Sequence, residues 1–197
     1  LMWAAAENIN PEAVRELIKA GADVNAASSG LGSTTALLEA AANNKNPDVT
    51  KALLEAGADV KARNGLRLTP LMCAAMSNSN PAIVEVLLAA GADLNDKDWF
   101  RGQPILANAA ASNPNPEVLS ALIKAGADVN EKGIDGATAL MNAAQLNRNP
   151  LTARVLIDAG ADVHAVDKNG ATALMRASRY TREPEVISLL LEAGSDI

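Results

Sequence analysis

Apolar residues recur along the chain at the spacing of one buried helix face. Val14, Leu17 and Ile18 have the i, i+3, i+4 pattern that lines up side chains on one side of an α-helix. The pattern returns at 83–88, 118–123 and 186–191. These segments predict short amphipathic helices, each with an apolar side that a neighbouring element must cover.

The residue types at both ends of these helices fit that prediction. A proline stands ten residues before a glycine six times, at Pro11, Pro47, Pro81, Pro116, Pro150 and Pro184. Proline suits the first helical position, and the glycine suits the left-handed residue that ends a helix. An asparagine that can cap free backbone N–H groups precedes the first five prolines. Glu183 precedes the sixth, which predicts a weaker cap there.

Each helix belongs to a repeating unit. Its final glycine starts a Gly-Ala-Asp triplet, Gly-Ser-Asp in the last copy, and successive triplets are 36, 34, 35, 34 and 34 residues apart. An alanine-rich helix is predicted before each proline, as at 69–75, and an extended finger with a tight turn joins the units, as at 162–170. One such unit buries too little apolar surface to fold alone, so neighbouring units must stack.

Helix, turn, helix and extended finger together resemble the ankyrin repeat. The likeness is carried by Thr69-Pro70-Leu71-Met72 with Ala74-Ala75, by Leu53-Leu54 and Leu87-Leu88, and by Gly-Ala-Asp-Val-Asn at 21–25 and 126–130. The tetratricopeptide repeat has the same period but lacks the finger. The resemblance implies an all-α fold, an ankyrin-repeat solenoid of six stacked helix-turn-helix units joined by short β-hairpin-like fingers. The implied single domain, 1–197, divides into repeats 1–30, 31–64, 65–98, 99–133, 134–167 and 168–197.

Some positions depart from the family pattern. The histidine that usually follows Thr-Pro-Leu is replaced by Leu38, Met72, Leu106, Met141 or Met175, so we expect apolar contact instead of a Thr–His hydrogen bond. The turn within each helix pair is one residue longer than usual and contains Asn-x-Asn-Pro. In the fourth repeat we expect one further residue in this turn, at 113–116, and Gln103-Pro104-Ile105-Leu106 in place of Thr-Pro-Leu.

Composition and charge narrow the range of partners. The net charge is −6 with acids and bases interspersed, which argues against nucleic acid because its binders need a basic face. No apolar run approaches the ~18 residues of a membrane-spanning helix, so we expect no membrane segment. Cys73 is the only cysteine, which excludes an intrachain disulfide and fits a reducing, intracellular compartment.

The sequence offers little for catalysis. The only histidine, His164, has the finger position of Asn25 and Asn130, where local hydrogen bonding is its expected role. One histidine and one cysteine cannot form a Cys/His metal cluster. The aspartates of the Gly-Ala-Asp triplets are expected to make turn hydrogen bonds. We therefore expect no catalytic residue, no metal, no cofactor and no enzyme activity.

The resemblance implies binding of another protein or peptide by the finger tips and by the groove side of the first helices. The predicted partner-binding residues are Leu66, Arg67, Trp99, Phe100, Arg101 and Ile134 on the fingers and Met76, Leu146, Arg176 and Tyr180 on the helices. Aromatic residues and arginines are enriched at interfaces. The alternatives are that Trp99 and Phe100 pack within their own finger and that Arg176, Arg179 and Arg182 form a solvated face. For Trp3, packing between repeats is favoured over a groove position.

Other interpretations of the whole chain stay open. The favoured function is a protein–protein interaction module. The alternatives are a regulatory or targeting segment of a larger enzyme, such as a host-directed bacterial effector, and a structural scaffold. Irregular finger lengths speak against an engineered array. Neither end resembles a polar cap, so we expect a piece of a longer array or ends covered by a partner, and end-to-end self-association remains an alternative.

Overall fold

The structure is a computed structural model that describes residues 1–29, 32–98, 102–181 and 183–196. The described residues contain helices and no β-strand. The helices form six pairs: α1 Met2–Glu7 and α2 Pro11–Lys19, α3 Ala36–Asn43 and α4 Pro47–Glu55, α5 Pro70–Ser77 and α6 Pro81–Ala89, α7 Ile105–Ser112 and α8 Pro116–Lys124, α9 Ala139–Leu146 and α10 Pro150–Asp158, α11 Ala173–Tyr180 and α12 Pro184–Glu192.

The chain divides into two compact units, Leu1–Leu94 and Asn95–Ile197, and each contains three helix pairs. In the first unit, α3 packs between α1 and α5, while α4 packs between α2 and α6. In the second unit, α9 packs between α7 and α11, while α10 packs between α8 and α12. First helices therefore stack on first helices and second on second, which confirms the predicted all-α repeat fold.

The core of each unit is aliphatic. Small residues of the first helices, such as Ala40 and Ala41, are fully buried and let neighbouring helices approach closely. The largest fully buried side chains are Leu37, Leu38, Leu53, Leu71, Met72, Ile83 and Leu87 in the first unit and Ile105, Leu106, Leu119, Leu122 and Leu140 in the second. Aliphatic layers therefore fill both units, and none of these side chains is aromatic.

The asparagine before each proline caps the second helix as predicted. Its side chain accepts a hydrogen bond from the backbone N–H two residues later in α2, α4, α6, α8 and α10. Glu183 makes no such side-chain bond at the start of α12. The prediction of a weaker cap in the sixth repeat is therefore confirmed.

The Asn-x-Asn-Pro turn also joins neighbouring repeats, which the sequence analysis did not predict. The buried amide of Asn44 donates from Nδ2 to the carbonyl oxygens of Ala5 and Asn8, both at 2.9 Å. The next asparagine, Asn46, donates to the carbonyl of Ile9 at 2.6 Å. Asn78 and Asn80 repeat the arrangement in the first unit, and Asn147 and Asn149 repeat it in the second. We call this set of bonds the asparagine ladder.

The prediction about the turn of the fourth repeat was wrong. Asn113, at the end of α7, stands three residues before Pro116, which is the spacing of Asn78 and Pro81 in the third repeat. The extra residue lies in the finger instead, because α7 begins fourteen residues after Gly91 and the other long finger is the first. Pro104 consequently precedes α7 as a cap without a side-chain bond. The register also shifts by one, so that Ala107, and not Leu106, takes the place of Met72.

Candidate functional site

The finger before α5 presents an exposed leucine on a fixed backbone. Oδ1 of Asn64 accepts hydrogen bonds from the N–H groups of Leu66 and Leu68 at 2.9 and 3.0 Å. The N–H of Gly65 donates to the carbonyl of Ser33 in the preceding finger at 2.8 Å. The side chain of Leu66 is nevertheless 62% exposed. This finger therefore holds an apolar side chain in water on an ordered turn.

The residue after Leu66 has an unusual backbone conformation. Arg67 has a φ of +58°, in the left-handed region that favours glycine. The same position of other fingers is Gly136 or Gly170, with φ of +81° and +77°. The carbonyl oxygen of Arg67 accepts a hydrogen bond from Nη1 of Arg63 at 2.8 Å. The turn therefore keeps a long cationic side chain at a position where glycine would relieve strain.

An isoleucine has the corresponding exposed place in the finger before α9. Ile134 is 66% exposed, and one side of it lies close to Gly102, where an added Cβ would come within 2.5 Å of Cδ1 of Ile134. Asp135 fixes the turn, because its Oδ1 accepts hydrogen bonds from the N–H of Ala137 at 3.0 Å and from Nε2 of Gln103 at 2.8 Å. Two adjacent fingers of the second unit thus support Ile134.

Three of the predicted binding residues, Trp99, Phe100 and Arg101, lie outside the described residues, as does Arg182. Their assignment to the tip of the third finger, and the alternative that the two rings pack within it, both stay predictions. In the described part of that finger, Lys97 and Pro104 form one isolated antiparallel β-bridge.

Two predicted residues lie at the ends of first helices. Met76, near the end of α5, is half-buried, whereas Leu146, the last residue of α9, is 53% exposed. Leu146 lines a shallow cleft of about 360 Å³ with Pro114 and Arg148. Of this pair, Leu146 offers the larger contact surface.

Arg176 takes part in a largely buried ion pair. Its Nη2 and Nε donate to Oδ2 of Asp167 at 2.6 and 3.2 Å, and its Nη1 donates to Oε1 of Gln145 at 3.1 Å. The arginine and aspartate side chains are 13% and 3% exposed. A solvated face is therefore wrong for Arg176. The guanidinium joins the finger to α11 and α9, and only its edge is open to a partner.

The charge of Asp167 is maintained by its neighbours. Burial acts to raise the pKa of this carboxyl, but hydrogen bonds from Arg176 and from the backbone N–H groups of Ala171 and Asn169 outweigh burial and lower the pKa below its ordinary value. Asp167 consequently stays ionised near neutral pH, and the ion pair remains intact there.

Tyr180 lies at the C-terminal end of α11, as predicted, and is half exposed. The guanidinium carbon of Arg179 stands 5.0 Å from the centre of its ring, a cation–π distance. Both residues line a cleft of about 490 Å³ together with Met175 and Arg176. This end of the second unit therefore combines a phenol ring, a thioether and guanidinium groups on one surface.

The structure corrects the prediction for Trp3. Its indole is 83% exposed, so it does not pack between repeats. Trp3 lines a groove of about 710 Å³ with Met2 and Ile9 on one side and Glu39 on the other. The sequence register contained a signal, because Trp3 has the repeat position of the charged residue Glu39. We call this space, between α1 and α3, the N-terminal groove.

His164 and Cys73 were the residues considered for catalysis, and their contacts are typical of residues with a structural role. Nδ1 of His164 lies 3.3 Å from Oδ2 of Asp196, and both side chains are exposed. Burial, with a smaller contribution from Glu39, raises the pKa of the Cys73 thiol to about 11, which leaves an unreactive thiol. Among the residues that the structure describes, no three His, Cys, Asp or Glu side chains form a group that could hold a metal ion.

The predicted turn hydrogen bonding of the Gly-Ala-Asp aspartates is confirmed for four of them. Oδ1 accepts a hydrogen bond from the backbone N–H two residues later at Asp23, Asp59, Asp128 and Asp162. In the described parts of the chain, no helix has the length and apolar character needed to cross a membrane.

Comparison with known proteins agrees with this geometry. A family model described as ankyrin repeats, three copies, matches residues 1–98 and again 106–197. No curated protein matches the chain significantly. Ankyrin repeats are generally protein–protein interaction modules, and domains built from them are typically non-catalytic. The helix pairs, the fingers and this match lead to one conclusion: the chain belongs to the ankyrin-repeat family.

Proposed function

We propose that this chain binds a peptide or protein through its finger tips and the groove side of its first helices. The observation that carries the proposal is the exposure of Leu66 and Ile134 on turns whose backbones are fixed by hydrogen bonds. An apolar side chain held in water gains free energy when a partner covers it, and a preorganised surface loses little entropy on binding.

The proposed surface includes residues of both units. In the first unit it comprises Leu66, Arg67 and Met76, and in the second Ile134, Leu146, Arg176 and Tyr180. Trp99, Phe100 and Arg101 are included because of their sequence position alone. Neither nucleic acid nor membrane is proposed as a partner.

The strained turn at Arg67 supports this assignment. A non-glycine residue in the left-handed region costs about 1 kcal/mol, and the three fingers of the second unit avoid that cost with Gly102, Gly136 and Gly170. Contact between the Arg67 side chain and a partner would offset this conformational cost. A regulatory or targeting segment of a larger enzyme or effector would use the same surface.

Site-specific photocrosslinking tests the proposal. A photoreactive phenylalanine analogue would replace Leu66, Ile134 or Leu146, and the 197-residue chain would be irradiated in lysate from the source cells. We expect the same partner band from all three positions. The matched control is Leu151, which is as exposed as Leu146, at 53%, but lies on the second helix α10. Equal crosslinking from Leu151, or no band from the three test positions, would contradict the proposal.

Serine substitutions provide a second measurement. Combining Leu66→Ser with Ile134→Ser should reduce capture of the crosslinked partner at least about thirtyfold, because each change removes roughly 1–2 kcal/mol of apolar contact. Leu151→Ser should leave capture unchanged. Far-UV circular dichroism should be the same for all of these variants, since the exchanged side chains are exposed.

A further inference from the structure

The first helices of the N-terminal unit carry only acidic charge. Across α1, α3 and α5 there are two charged side chains, Glu7 and Glu39. Both line the N-terminal groove. The corresponding helices of the second unit carry Arg176 and Arg179 instead. The negative charge of the first helices is therefore found in the first unit and not in the second.

These two carboxylates have no ion pair within the described residues. Glu39 accepts a hydrogen bond from Nδ2 of Asn43 at 3.0 Å, which fixes the carboxylate without neutralising it. Basic side chains of α2 and α4 are used elsewhere: Arg15 pairs with Glu55 at 2.8 Å and Lys51 with Asp48 at 3.2 Å. The charge of Glu39 also acts on the neighbouring first helix, because it adds to the effect of burial in raising the pKa of Cys73 in α5.

The indole of Trp3 adds a second feature that favours a cation. Trp3 and Glu7 are four residues apart on α1, so their side chains lie on the same face of the helix. The face of an indole attracts an ammonium or guanidinium group, more strongly when water is partly excluded. Met2, Ala6 and Ile9 supply the apolar lining beside it.

We propose that the N-terminal groove binds a basic, partly aliphatic peptide segment of the partner protein. An arginine or lysine side chain of that segment stacks on Trp3 and faces the carboxylates of Glu7 and Glu39, while an aliphatic side chain contacts Met2 and Ile9. The inference deepens the proposed function, because it assigns a further subsite and its chemistry. Lys45, the one cation among the lining residues that the structure describes, lies in the turn after α3 and is outnumbered by the two carboxylates.

Selection from a random dodecapeptide library on the immobilised chain tests this proposal. We expect the recovered peptides to combine arginine or lysine with a neighbouring aliphatic residue. Binding would be measured by fluorescence anisotropy of the labelled peptides. Trp3→Ala should weaken it about tenfold, and Glu7→Gln or Glu39→Gln about threefold each, with a smaller salt dependence. Citrulline in place of the peptide arginine should remove the effect of both glutamine variants.

Two variants serve as controls. Lys45→Gln should leave binding unchanged or strengthen it, since it removes a cation that lines the groove. Leu151→Ala removes an exposed apolar side chain of the second helix α10 in the other unit and should have no effect. Selected peptides that are acidic or uncharged, or that bind Trp3→Ala as well as the parent chain, would overturn the proposal. So would an absence of selected binders, or self-association of the chain that Trp3→Ala abolishes. Crosslinking at Leu66, Ile134 and Leu146 is independent of these results, so the two proposals can fail separately.

Discussion

Thr152 has a buried position of the second helix that other repeats fill with an aliphatic residue. It is the third residue of α10, where α8 has Val118 and α4 has Val49. The side chain is fully buried, and its hydroxyl oxygen has no hydrogen-bond partner among the described residues. A buried hydroxyl without a partner loses its contact with water and gains nothing in return.

We therefore expect Thr152→Val to stabilise the protein by about 1 kcal/mol, because valine has the same shape and no polar atom to desolvate. The free energy of unfolding would be measured by urea titration followed by far-UV circular dichroism. The matched control is Val118→Thr at the same helix position of the same unit, which should destabilise by a similar amount. A less stable Thr152→Val variant would show that the hydroxyl is satisfied.

Some properties of single residues could be predicted from their neighbours along the chain, and others could not. The caps at Asn46 and Asn80 followed from residue type and position, because a cap involves neighbours along the chain. The burial of Arg176 did not, since its partner Asp167 is brought to it by the fold of the finger onto α11. The exposure of Trp3 was not predicted either, because an apolar ring is expected to be buried when its packing partners are unknown.

The asparagine ladder acts at the scale of the helix pair. Asn78 donates to the carbonyls of Ala41 and Asn44 at 3.0 and 2.8 Å, and its Oδ1 accepts from the N–H of Asn80 at 2.9 Å. Its side chain is buried between two repeats. Removing it leaves several buried backbone groups without partners, and such groups cost more than a lost exposed bond.

We expect Asn78→Ala to destabilise the protein by about 3 kcal/mol in urea titration. Asn43→Ala is the control, because Asn43 is exposed and its amide donates to Glu39, one turn earlier on the same helix. That variant should change stability by less than about 0.5 kcal/mol. Equal effects of the two variants would mean that the ladder does not join the repeats.

The sixth repeat lacks the two asparagines that form the asparagine ladder. Thr181 and Glu183 replace its two asparagines, and although Oγ1 of Thr181 accepts the N–H of Glu183 at 3.1 Å, a threonine has no amide to donate to the fifth repeat. The sequence showed the weaker cap directly. The missing cross-repeat bonds became visible only with the stacked helices, because the acceptors lie more than thirty residues away in the other repeats.

The whole molecule consists of two units that each contain a core. Three helix pairs with their own aliphatic layers fill Leu1–Leu94, and three fill Asn95–Ile197. Stacked repeats gain stability from interfaces with their neighbours, and three repeats supply two such interfaces. That all six repeats form a single domain stays a prediction.

We expect a fragment of residues 1–94 to fold without the rest of the chain. It should show helical circular dichroism and one cooperative urea transition, because α3 and α4 are covered on both sides within it. The control fragment, residues 1–64, contains two helix pairs and should be largely unfolded. A disordered 1–94 fragment would contradict the assignment of this segment as a folding unit.

The amino-acid sequence was sufficient to predict the repeat, the ends and caps of the second helices and the resemblance to ankyrin repeats. Each of these depends on local periodicity or on short-range backbone chemistry, which is written in consecutive residues. The packed helices were needed to show which side chains are exposed, where the extra residue of the fourth repeat lies and that the Asn-x-Asn-Pro turns bond to the preceding repeat. Those properties depend on contacts between residues far apart in the chain. Spacing along the sequence predicts that such contacts exist, but their partners are set by how the helices pack.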